Sequence, residues 1–100
     1  MQFEIKNIQK STNDLMRTIG YQPAYFQKPG ETSIVRQITR NDYPRFHLYI
    51  KPISGVTGAY SFNIHLDQKK PSYEGTRGHS GEYEGPVVEE EVRRITDLLT

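Results

Sequence analysis

His47, His65 and His79 are the side chains in this sequence best suited to move protons near neutral pH or to ligate a metal. His65 is followed two positions on by Asp67, which places both on the same side of any strand that contains them. His47 lies in a second run of the same alternating kind, Arg45 to Lys51. Two imidazoles and a carboxylate brought to one strand face would form a donor set for a divalent metal, with His47, His65 and Asp67 as ligands. The same three groups, with His79 and Glu82, could instead carry acid–base chemistry. No ligand pair has a recognised metal spacing, and histidine is tolerated on any solvated strand, so plain surface chemistry competes with both readings.

Those residues need a hairpin to meet. Phe46, Leu48 and Ile50 alternate with His47, Tyr49 and Lys51, and Tyr60, Phe62, Ile64 and Leu66 alternate with Ser61, Asn63, His65 and Asp67. Ser54-Gly55-Val56-Thr57-Gly58 lies between the two runs and supplies the turn. Setting Ile50 opposite Phe62 keeps the apolar residues together and places His47 opposite His65, Tyr49 opposite Asn63 and Arg45 opposite Asp67. A slip of one residue would turn the whole apolar set outward, whereas a slip of two would keep the polar residues on one face.

The hairpin runs directly into Gln68–Pro86, a Gly- and Tyr-rich stretch expected to be a long loop. Tyr73-Glu74-Gly75 recurs as Tyr83-Glu84-Gly85, which suggests two similar turns, each anchored by a ring. Lys69, Lys70, Arg77 and His79 give the loop cationic chemistry suited to a phosphate or carboxylate, although no phosphate-loop pattern is present. Gly78-His79-Ser80-Gly81-Glu82 does not satisfy the nucleophile-elbow pattern of serine hydrolases, because Glu82 stands where the second glycine belongs.

Around the hairpin, Gln2 to Asn7 reads as an edge strand and Ser33 to Thr39 as another strand. The faces of the latter are ambiguous, since Ile34 and Ile38 share a side with Arg36. Ser11 caps a short helix over 12–19, stopped by Gly20. Tyr21 to Gly30, with Pro23 and Pro29, reads as a connecting loop. Pro86 opens a helix over 87–99 whose apolar stripe is Val88, Val92, Ile95 and Leu99; Glu89–Arg93 and Glu90–Arg94 are spaced as ion pairs along it. The expected architecture is α+β: a three- to four-stranded antiparallel sheet with two helices packed on one face, in one domain over residues 1–100.

Composition narrows the classes. The chain has 34% hydrophobic and 25% charged residues, as globular domains do, with seven Tyr, four Phe and no Trp. The absence of cysteine removes disulfides, thiolate metal sites and a cysteine nucleophile. No run approaches the roughly 20 apolar residues needed to cross a bilayer, so no membrane partner is expected. The start, Met1 to Lys6, shows no secretory pattern, and a cytoplasmic location is the default. Net charge is +1, unevenly spread: residues 1–80 hold eleven Lys and Arg against six Asp and Glu, and residues 81–100 hold two against six.

Tyr43-Pro44-Arg45-Phe46-His47, His65-Leu66-Asp67-Gln68-Lys69-Lys70-Pro71 and His79-Ser80-Gly81-Glu82-Tyr83 leading into Gly85-Pro86-Val87-Val88-Glu89 together resemble a family of small uncharacterised bacterial proteins, a domain of unknown function. The likeness spans roughly residues 32 to 95. It implies no activity, cofactor or partner.

The function expected first is therefore a non-enzymatic binding or interaction module for a protein partner or an anionic ligand. Its surface would join the outer hairpin face (Arg45, His47, Tyr49, His65 and Asp67) to the loop (Lys69, Lys70, Tyr73, Arg77 and His79). The alternatives are a metal-dependent or acid–base enzyme with a His/Asp/Glu site, and a nucleic-acid-binding module. No cofactor is expected beyond the divalent-metal option. Homodimerisation through the edge strand or the loop is a further option.

Overall fold

The fold comes from a computed structural model, which describes residues 1–68, 81–82 and 84–100, with 81 and 82 described by their backbone alone. In chain order the elements are β1 (Gln2–Ile5), α1 (Thr12–Ile19), β2 (Gln22–Pro23), β3 (Thr32–Gln37), β4 (Arg45–Pro52), β5 (Tyr60–Asp67), β6 (Gly81–Glu82) and α2 (Pro86–Leu99). The architecture is α+β. All strands join one antiparallel sheet in the order β1-β5-β4-β3-β2, with β6 also paired to β5.

The expected three or four strands fall short of this sheet, because β2 and β6 have two residues each. A two-residue strand shows no alternation, so period-two reasoning cannot detect it. β2 lies within the stretch read as a connecting loop, and β6 lies within the long loop expected over 68–86. Through β6, Gly81 sits beside Asp67 and Glu82 beside Leu66.

β4 and β5 pair in the register expected from side-chain parity: Ile50 with Phe62, His47 with His65, Tyr49 with Asn63 and Arg45 with Asp67. Phe46, Leu48, Ile50, Phe62, Ile64 and Leu66 are all buried. Leu15 and Ile19 of α1 and Val88 and Ile95 of α2 join them in one cluster, so both helices cover this face. Phe3 of β1 stacks on Phe62 at 4.9 Å.

Local chemistry sets the helix ends. Ser11 Oγ accepts the Asp14 N–H at 3.2 Å. Gly20 takes the left-handed conformation that ends α1 (φ 81°). Gly58 is also left-handed, and a Cβ there would come within 2.9 Å of the Ile8 carbonyl oxygen, so glycine lets the chain after β1 cross the hairpin turn.

β3 resolves the ambiguity of its sequence. Ile34 pairs with Leu48 and Arg36 with Phe46, so both lie on the core side. Arg36 is accommodated there because its guanidinium reaches Glu91 of α2 at 3.4 Å. Glu91 also accepts from the Tyr21 hydroxyl at 2.6 Å and from Arg94 Nε at 2.7 Å. Arg94 thus pairs with Glu91 and not with Glu90, and it also donates to the Ile19 carbonyl at the end of α1. No described helix is long and apolar enough to cross a membrane.

Candidate functional site: the outer face of the hairpin

The opposite face of the sheet collects the chemistry. Register places Ser33 across from Tyr49, His47 across from His65 and Asp67 across from Arg45. Ser33, His47 and Asp67 therefore run diagonally over three strands, where longer side chains reach one another. Ser33 Oγ stands 2.6 Å from His47 Nε2, and His47 Nδ1 stands 3.4 Å from Asp67 Oδ2. The other Asp67 oxygen, Oδ1, lies 2.8 Å from His65 Nε2. Tyr49 stacks on His47 at 4.4 Å and lies 5.8 Å from His65, so the two imidazoles are flanked by Tyr49 on one side and by the Asp67 carboxylate on the other.

Sequence reasoning treats this face as open to water. It is not. The side chains of His47, His65 and Asp67 are only 14%, 12% and 13% exposed. The chain between β2 and β3 flanks this face beside Ser33, His47 and Tyr49. Gln27 fastens that segment down: its Nε2 donates to the carbonyls of Ala24 and Ser33, and its Oε1 accepts the Ser33 N–H. Tyr25 and Phe26 then project beside the sheet, 94% and 74% exposed, with their rings edge to face at 5.1 Å.

Between this aromatic pair and the sheet lies a concavity of about 420 Å³, within the range of small-ligand sites. Its lining includes Tyr25, Phe26, Ser33, His47, Tyr49 and Asn63, together with the charged side chains Lys28, Glu31 and Arg45.

The electrostatics follow from the contacts. Burial on its own would raise the Asp67 carboxyl, but the hydrogen bonds and charge of His47 and His65 outweigh it and hold the group well below the usual carboxylate range. Arg45 Nε is 3.6 Å from Asp67 Oδ2, an ion pair too long for a hydrogen bond. That nitrogen is buried with no hydrogen-bond partner. The guanidinium rests over the Tyr43 ring at 4.6 Å. Lys51, further along β4, pairs with Glu31 at 3.6 Å.

Serine, histidine and aspartate in this order invite comparison with a hydrolytic triad. The surroundings do not support that chemistry. Ser33 lies within a strand, and its N–H is spent on Gln27, so it cannot serve a developing oxyanion. The array is built to hold His47 in place.

Arg45, His47, Tyr49, His65 and Asp67 thus come together on one face. Lys69, Lys70, Tyr73, Arg77 and His79 lie outside the described residues, and Glu82 is placed by its backbone alone. Sequence reasoning missed Ser33, Tyr25 and Phe26. The outward parity of β3 would have indicated Ser33, had Arg36 not obscured which side faced the core. Tyr25 and Phe26 gave no signal beyond two adjacent rings in a proline-bearing loop. Compared with known proteins, the chain matches no family model, no curated protein sequence and no solved structure.

Proposed function

We propose that this protein is a binding module whose site is the outer hairpin face, and that it takes a small planar ligand carrying an acidic group. One observation carries the reading: two exposed aromatic rings line a concavity of mixed polar and apolar character in which Ser33 and His47 are already ordered by a hydrogen bond. Large rings left in water are costly unless a partner covers them. Tyr25 and Phe26, set edge to face, each offer a ring face on which a planar ligand can stack, and His47, Tyr49 and Asn63 offer polar atoms to orient it. Lys28, Arg45 and Glu31 line the same space; Asp67 pairs with Arg45 and Lys51 with Glu31, so Lys28 is the cation that would meet the acidic group. A cysteine-free chain suits a reducing compartment, so we place the module in the cytoplasm.

A nucleic-acid track fits less well. Two of the cations on this face, Arg45 and Lys51, are engaged by Asp67 and Glu31, whereas strand binding needs cations free for successive phosphates.

The test is a spectroscopic screen of aromatic carboxylic acids against their uncharged amides. The acids are expected to shift the signals of Tyr25, Phe26, His47 and Tyr49. Changing Tyr25 and Phe26 together to Ala is expected to weaken that binding about tenfold or more, in line with the loss of stacking, and to leave Tm unchanged because both rings are exposed. Acids that perturb none of these residues, or bind the double variant equally well, would refute the proposal.

A further inference from the structure

The geometry points to a divalent transition-metal site formed by His47 Nδ1, His65 Nε2 and Asp67, with Ser33 as the group that orients His47. This deepens the binding reading, on which it rests, by naming an ion that the same face would hold.

One ligand atom from each of the three residues lies within 4.8 Å of the other two. Ligand atoms bound at about 2.0 to 2.2 Å around a tetrahedral ion stand about 3.3 to 3.6 Å from one another. Of the separations from Asp67, the 3.4 Å from Oδ2 to His47 falls inside that spacing and the 2.8 Å from Oδ1 to His65 falls about 0.5 Å short of it. Binding an ion would therefore require His65 and the carboxylate to move apart by about that much. Among the described residues three protein ligands converge, which is the number that catalytic or exogenous-ligand zinc sites use.

Independent support comes from the far side of the His47 ring. A metal-ligating histidine nearly always donates its other ring N–H to an acceptor, which fixes the tautomer. Ser33 Oγ, at 2.6 Å from Nε2, is placed to accept that proton. Without metal the same pair works in reverse: the hydroxyl donates to Nε2 while Nδ1–H faces Asp67. Both states leave every ring nitrogen of His47 satisfied, so the site can load and empty without stranding a buried polar atom.

Ligand chemistry selects the ion. Two imidazoles and one carboxylate suit zinc, iron, nickel or copper, whereas calcium and magnesium prefer all-oxygen shells. Arg45 works against the ion, because its guanidinium already pairs with Asp67 Oδ2. That opposition gives a signature that a purely structural cluster would lack: removing the Arg45 charge should tighten metal binding.

The experiment titrates zinc chloride, and separately magnesium chloride, into the full chain. Calorimetry reads stoichiometry, and the imidazole signals read location. One zinc per chain is expected, with no response to magnesium. His47→Gln and His65→Gln should each weaken zinc about 100-fold, and Ser33→Ala about tenfold. Arg45→Gln should strengthen it several-fold, and far-ultraviolet spectra confirm that each variant is folded. No zinc binding at millimolar concentration overturns the inference, as does zinc binding that both histidine variants leave unchanged. If either occurs while aromatic acids still shift Tyr25 and Phe26, the metal site alone is wrong; if the acids also fail, the binding reading falls with it.

Discussion

At the scale of single residues, Asp67 is the centre of the site. One carboxylate serves both imidazoles, and the half-buried environment makes each contact worth more than it would be in water. The carboxyl is held below the ordinary range, so its contribution to stability is present above the unfolded value, about 3.9, and is lost as pH falls through the folded value. Asp67→Asn is therefore expected to cost about 1.5 to 3 kcal/mol at neutral pH, the usual worth of a hydrogen bond to a charged group. The gap between wild type and variant should narrow below about pH 4. Urea midpoints at pH 7, 4 and 3 measure it, and a gap that stays constant over that range contradicts the assignment.

At the scale of elements, the join between the helices and the sheet depends on a buried charge. Glu91 is the third of three consecutive acids, Glu89 to Glu91, and no apolar period marks it as interior. In the structure it is buried and receives Tyr21, Arg36 and Arg94 together. Burial first, then the Glu91 charge, pushes the Tyr21 hydroxyl far above the ordinary tyrosine value. A raised folded value means that the stabilisation is complete below about pH 10 and is lost as pH rises through it. Tyr21→Phe should cost about 1 to 3 kcal/mol at pH 7 by leaving Glu91 one donor short. It should also flatten the alkaline fall in stability expected of wild type above about pH 10. Equal slopes in both proteins would show that Tyr21 does not hold the Glu91 cluster. What the sequence makes legible divides along the same line. β4, β5 and both helices are readable because their apolar residues repeat at the period of the element that buries them. β2, β6, the core-side placement of Arg36 and the burial of Glu91 depend on contacts between residues far apart in sequence, and no local period records them.

At the scale of the whole molecule, the sheet has two faces of opposite character. Helices seal one with aliphatic side chains. The other is flanked by a short segment fastened through Gln27, with a concavity of mixed character between two exposed rings and the strands. Parity locates the histidines on that face, but only the three-dimensional path of residues 24–31 turns the face into a pocket. His47 and His65 are packed together as a preformed pair, their ring centroids 5.1 Å apart. Proton–proton cross-relaxation between the two imidazoles, in the protein at neutral pH without added metal or ligand, measures that most directly. Cross-peaks between the His47 and His65 rings, and from both to Tyr49, are the predicted result. Two imidazoles that show no contact with each other or with Tyr49 would contradict the central claim.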